Sequence, residues 1–198
     1  MPSSLATSGI AAEAFRLIEL QPGSSLADGG EKSQAAEEQY PLALQECLET
    51  AEWSFASVLA KLPAGVLPGT SAADLDLPYF YSLPGDCIRI LSVGDSWTAW
   101  RLDAVGLRAD DPAPLTIRYT AMMTNEAKMS ASFRLFVSLA LAIRLSPLYQ
   151  TSEGKLQQLR DMHKEQRALA MRQDARTASQ ARTDDLEQQD DWVTEATI

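Results

Sequence analysis

The stretch Tyr79-Phe80-Tyr81-Ser82-Leu83-Pro84-Gly85-Asp86-Cys87-Ile88-Arg89-Ile90-Leu91-Ser92-Val93 decides how the chain is read. Aromatic and β-branched residues bounded by Pro-Gly and Gly-Asp pairs are a strand signature. Tyr79–Tyr81, Cys87–Val93, Trp97–Leu102 and Leu115–Tyr119 read as strands. Eight prolines and glycines between positions 63 and 94 remove any helical period. Pro84-Gly85 fits a tight turn in which Asp86 accepts backbone donors. Gly94-Asp95 fits a hairpin turn between two of the strands. Gly106 and Asp110-Asp111-Pro112 mark further turns. The expectation is one small antiparallel sheet of about four or five strands.

Outward from this segment the period changes to that of a helix. Upstream, Ile10, Ala11, Ala14, Phe15, Leu17 and Ile18 form one apolar face over residues 4–20, with Ser4, Thr7 or Ser8 as the cap. Gln21-Pro22-Gly23 ends it, and Asp28-Gly29-Gly30 precedes a second helix over 31–51. That helix carries Ala36, Tyr40, Leu44, Leu48 and Ala51 on one face. Pro41 removes a backbone donor within it, which predicts a kink near Glu37 or a break into two helices. Downstream, Thr124 or Asn125 caps an apolar helix running to Leu145 and stopped by Ser146-Pro147. Thr151 or Ser152 then caps a long polar helix reaching about Thr183. Its apolar stripe is thin: Leu156, Leu159, Met162 or His163, Leu169 and Ala170.

The expected class is α+β, mainly α. A four-helix bundle (residues 1–60 and 121–183) is interrupted between its second and third helices by a β insert (61–120). An acidic tail (184–198) follows.

The chain has 198 residues, 45% apolar and 22% charged, with a net charge of −10. That length can bury a core without staples, and the composition is that of a globular domain. So acidic a chain is a poor general binder of nucleic acid or anionic membrane, because both need Lys and Arg. No apolar run reaches the length of a membrane span. The start, Met1-Pro2-Ser3-Ser4, lacks the basic and apolar regions of a secretory signal. Cys47 and Cys87 are therefore expected as reduced thiols. Charge is uneven: residues 155–182 carry seven bases and three acids, and residues 184–198 carry six acids and no base.

Catalytic patterns are absent. His163, the only histidine, lies mid-helix beside Lys164, Arg160 and Arg167 and reads as a surface or seam residue. Two distant cysteines and one histidine give no metal-ligand spacing. Residues 23–33 resemble a phosphate loop only superficially, since Glu31 separates the glycines from Lys32 and no strand precedes them. Paired acids such as Asp110-Asp111 read as solvated. Arg160, Lys164, Arg167 and Arg172 make a basic stripe, which reads first as a solvated face and second as a phosphate contact. No enzyme, cofactor or metal is expected.

Trp53-Ser54-Phe55-Ala56, followed by Tyr81-Ser82-Leu83-Pro84-Gly85-Asp86-Cys87-Ile88-Arg89-Ile90, resembles the head-to-tail adaptors of tailed bacteriophages, the tail tubular protein A-like connectors. Ala14-Phe15-Arg16-Leu17-Ile18, Tyr40-Pro41-Leu42-Ala43-Leu44, Phe133 to Leu145, Ser146-Pro147-Leu148 and Asp174-Ala175-Arg176 are similar to the same family. The resemblance covers roughly residues 10–178. Read physically, Trp53 and Phe55 are large apolar anchors expected to fasten the sheet to the helices.

The resemblance implies a ring of about twelve subunits below the portal vertex, joining capsid to tail. It implies a homo-oligomer that meets the portal protein and a downstream tail or nozzle protein. It also implies DNA passing through the channel without sequence-specific binding, and no membrane. The protein would belong to the virion and assemble in the host cytoplasm. An acidic lumen repels the duplex and lets it slide during ejection. The expected structural or interface residues are Trp53, Phe55, Tyr81, Pro84, Asp86, Arg89, Arg167, Arg172 and Trp192. For Trp192, which lies in the acidic end that the resemblance does not reach, docking into a neighbouring subunit or the portal is expected, with Arg167 or Arg172 of an adjacent copy meeting the surrounding acids; the alternative is a solvated tail with an incidental tryptophan. The alternatives are a DNA-engaging packaging ring of the small-terminase kind and a virion-associated hydrolase.

Overall fold

The computed structural model describes residues 8–20, 30–67 and 74–187, with side chains to residue 177. It is an α+β chain with four α-helices and two three-stranded antiparallel sheets. Two compact units result. One comprises Met1–Cys47, Trp53–Phe55 and Thr124–Ile198, and the other Leu48–Glu52 and Ala56–Met123.

In the helical unit, α1 (Gly9–Leu17) begins at Ser8, whose hydroxyl accepts from the Ala11 N–H at 3.1 Å. Helix α2 (Glu31–Glu49) runs without a break through Pro41, so the two-helix alternative is excluded. It starts at Glu31, near the end of the superficial phosphate-loop stretch, which places Lys32 and Ser33 in a helical first turn. Residues 21–29, including the turn expected at Gln21-Pro22-Gly23, lie outside the described residues.

Thr124 or Asn125 does not cap the third helix. Asn125 caps a separate 3-10 turn, Glu126–Lys128, and Met129 is extended. Helix α3 (Ala131–Leu145) starts afresh at Ser130, whose hydroxyl accepts from Phe133 N–H at 3.2 Å. Helix α4 (Glu153–Glu187) is preceded by Ser152, whose hydroxyl accepts from the Lys155 N–H at 3.3 Å. It runs past Thr183, so Asp184, Asp185 and Glu187 are helical in backbone.

Both α1 and α4 pack on α3. Leu159 and Ala170 of α4 are buried, but Met162 and Leu169 are 37% and 44% exposed, so part of the expected stripe faces away from the seam. Polar residues complete the seam instead. Gln166 donates to the Ser132 carbonyl at 2.9 Å, and Ser132 hydroxyl bonds Gln173.

In the β unit, β1 (Ser57–Leu62), β6 (Leu115–Ala121) and β3 (Cys87–Val93) form one sheet in the order β1-β6-β3. Strands β2 (Tyr79–Tyr81), β5 (Gly106–Ala109) and β4 (Trp100–Asp103) form the other, in the order β2-β5-β4. The single-sheet expectation is therefore corrected. Gly94-Asp95 is not a hairpin turn either, because β3 pairs with β6 and β4 with β5. Asp95 instead organises a crossover, with its carboxylate accepting from Trp97 N–H at 2.8 Å and Thr98 N–H at 3.1 Å. Gly106 opens β5 at φ +154, where an added Cβ would meet the Tyr81 carbonyl and the Phe80 ring. Leu62, Tyr81, Val93, Leu107 and Ile117, drawn from both sheets, share one apolar core.

Candidate functional site

Trp53 is fully buried in the helical unit. Its indole N–H donates to the Cys47 carbonyl at 3.0 Å. Its ring lies 4.7 Å from Phe133 and 6.3 Å from Phe136, centroid to centroid, and Phe55 lies 4.8 Å from Phe133. Edge-on aromatic geometry of this kind is favourable beyond simple area burial. The ring partners of Trp53 and Phe55 belong to the helical unit.

The backbone just after Trp53 is held by α4. Asp174 accepts from the Ser54 N–H at 2.9 Å and the Ser54 hydroxyl at 2.7 Å, where the 3-10 turn Ser54–Ala56 begins. A carboxylate at the open N–H end of a turn satisfies a donor that the turn itself leaves free. Glu126 serves α1 in the same way. Its carboxylate accepts from Gly9 N–H at 3.1 Å and Ile10 N–H at 3.4 Å, and from the hydroxyls of Ser8 and Tyr40. Burial, with the Glu126 charge beside it, pushes the Tyr40 hydroxyl well above its ordinary range. Neither acid was singled out as a contact from sequence, because the partners are more than 80 positions away.

His163 stacks on Phe136, with ring centroids 4.6 Å apart, and its buried Nε2 lacks a hydrogen-bond partner. Burial lowers its pKa, the Glu46 carboxylate opposes that, and Arg167 adds to it. Cys47 is buried, and burial followed by the Glu46 charge pushes its thiol up. No disulfide joins Cys47 to Cys87. Between α1 and α3 a cleft of about 290 Å³ is lined by Ile10, Leu135 and Ala131 with Glu13 and Arg134.

In the β unit, Tyr81 is fully buried on β2 and its hydroxyl donates to the Asp111 carbonyl at 2.6 Å. The Pro84 carbonyl accepts from Cys87 N–H at 3.0 Å, closing the expected turn. Asp86 does not cap that turn with its carboxylate. The carboxylate takes the Tyr119 hydroxyl at 3.2 Å, while the Asp86 carbonyl takes Met122 N–H at 2.7 Å. The first bond fastens the turn to β6 and the second to the residue just after it. Arg89 is exposed on β3 opposite Thr120.

A charge ladder escaped the sequence reading. Arg101 bonds Asp74 at 2.6 Å and Asp103 at 3.0 Å, and Asp103 bonds the buried Arg108 at 2.6 Å. Its only sequence signal was the Arg101/Asp103 spacing, which puts both on one face of a strand. The β4 edge also leaves Trp100 and Leu102 about half exposed, next to an exposed Trp97.

Arg167 and Arg172 are exposed on α4. Trp192 lies outside the described residues. Among the described residues no group of three or more His, Cys, Asp or Glu side chains could hold a metal ion. Among them, too, no helix is long and apolar enough to cross a membrane. The chain matches no family model and no curated protein.

Proposed function

We propose that this chain is a structural head-to-tail adaptor of a tailed phage. In this reading its four helices form a bundle that carries the β unit between α2 and α3. About twelve copies form a ring below the portal, with the downstream tail or nozzle protein on the other side. DNA traverses the ring without sequence-specific contact, repelled by an acidic wall, and the chain performs no catalysis. The product is a virion component assembled in the host cytoplasm.

The observation that carries the reading is the Ser54–Asp174 bond. Trp53-Ser54-Phe55-Ala56 and Asp174-Ala175-Arg176 are two of the stretches on which the resemblance rests, and a carboxylate joins them. The Leu83-Pro84-Gly85-Asp86-Cys87 stretch supports it as a turn fastened to β6. Native mass of the purified chain with and without its portal tests the reading. A discrete ring on the portal is the expected result, and a chain that ignores the portal overturns it.

One observation favours a DNA-engaging packaging ring instead: Arg160, Lys164 and Arg167 are exposed along α4. That reading requires duplex binding with a steep salt slope. The net charge of −10 predicts no sub-micromolar duplex binding at physiological salt, and a titration of the full chain with duplex DNA separates the two.

A further inference from the structure

Two exposed helical ridges in the helical unit carry opposite charge at the same spacing. On α4, Arg160, Arg167 and Met171 stand at i, i+7 and i+11, with Lys164 between them. All four are exposed, Met171 to 38%. On α2, Glu31, Glu38 and Leu42 also stand at i, i+7 and i+11, and all three are exposed, Leu42 to 48%. The α2 ridge points directly away from the buried face formed by Ala36, Tyr40, Ala43 and Cys47. At 1.5 Å per residue, both ridges place two charges ~10.5 Å apart and an apolar side chain ~6 Å beyond.

We propose that the Arg160/Arg167/Met171 ridge of one copy docks in parallel on the Glu31/Glu38/Leu42 ridge of a second copy. Aligned this way, Arg160 meets Glu31, Arg167 meets Glu38, and Met171 meets Leu42. Lys164 falls between the two glutamates and reaches either. The antiparallel alignment places Met171 against Glu31 and leaves Leu42 facing a cation, so register and direction are both specified by charge. Because two different faces meet, the contact is heterologous: each copy offers one ridge to either side, and the chain of contacts closes into a ring where the rotation permits. The inference rests on the ring reading and names the surfaces that would build it. It also gives a use to the bases concentrated on α4 of an acidic chain, whose copies otherwise repel.

Exposed ion pairs are individually weak and screened by salt. The contact therefore disperses as ionic strength rises. The test uses the full chain in native-mass and sedimentation measurements over a concentration series, at about 0.02 M and 0.5 M salt. The first variant is Arg160→Glu with Arg167→Glu, the second Glu31→Arg with Glu38→Arg, and the third carries all four changes. Either double reversal is expected to weaken self-association by about 10-fold or more, and the four-fold variant to regain it. An equimolar mixture of the two double variants is expected to associate where neither does alone. Circular dichroism confirms that each variant is folded.

If oligomers, or rings on the portal, survive both double reversals unchanged, the ridge contact is wrong and the ring stands. A four-fold variant and a mixture that both fail to associate also refute the contact. A wild-type chain that neither self-associates nor joins the portal overturns contact and ring together. Duplex DNA captured by the α4 ridge in place of a second copy would overturn the contact as well.

Discussion

Asp174 holds both the backbone N–H and the hydroxyl of Ser54, a residue 120 positions earlier. The bond pins the exit of the Trp53 segment to α4. Replacing Asp174 by Ala removes both acceptors and is expected to cost about 1–2 kcal/mol, the scale of a lost turn cap. The check is a urea titration in which the midpoint falls while the slope is unchanged. An unshifted midpoint would mean that water serves Ser54 equally well.

Trp53→Ala should cost about 3–5 kcal/mol, because it empties a site walled by Phe55, Phe133 and Phe136. It also leaves the Cys47 carbonyl without its indole donor. Trp53→Phe, which keeps an aromatic ring, is expected to lose less. Thermal melts of the two variants in parallel give the comparison, and equal losses would point to the hydrogen bond rather than the ring.

His163 supplies a pH dependence with a definite sign. Burial against Phe136 disfavours its charged form, so the folded chain binds that proton less readily than the unfolded chain does. Stability is then complete above the unfolded value, about 6.5, and declines as pH falls from there toward the lower folded value. Since the chain contains no other histidine, His163→Gln should flatten this part of the profile. Denaturation midpoints measured in steps between about pH 7.5 and 5 test it, and parallel profiles for both proteins would refute it.

Glu126 gathers four donors at the start of α1. Glu126→Gln keeps one acceptor oxygen but loses the charge that the helix N-terminus favours, an effect of about 0.3–1 kcal/mol. Amide exchange should quicken first in α1, at Ala11, Ala12 and Ala14, with β6 unaffected. Uniform acceleration over the whole chain would place the effect elsewhere.

Local signals carried much of the fold. The apolar faces of α1 and α3, the Ser146 stop, and the segments around β2, β3, β4 and β6 were all legible. Strand β1 begins inside the 1–60 stretch expected to belong to the bundle; Val58, Ala60 and Leu62 alternate with the exposed Leu59 and Lys61, an order that the apolar Leu59 hides in the sequence. Strand β5 is four residues long and begins with Gly106, so it read as a turn. The division into two sheets was not legible at all. It depends on β6 pairing with β1 across some 60 positions, and on β4 finding β5 instead of β3. Glu126 and Asp174 escaped for the same reason. Each reads as an ordinary acid until the fold delivers its donors. Trp53 was recognised as a core residue, but which core it served required the positions of Phe133 and Phe136.

The separation of 120 residues between Ser54 and Asp174 also bears on synthesis. At about 5–20 residues per second, a ribosome needs roughly 6–24 s to travel from one to the other. For more than half of that interval Trp53 has neither Phe133 nor Phe136 to cover it, and α1 waits for Glu126. Most of the β unit lies inside the interval, since Ala56–Met123 is one continuous run and only Leu48–Glu52 precedes it. Vectorial translation therefore favours a nascent chain in which the strands settle first while the amino-terminal helices remain incomplete. Helix α4 emerges after α3 and brings Asp174 to the Ser54 turn.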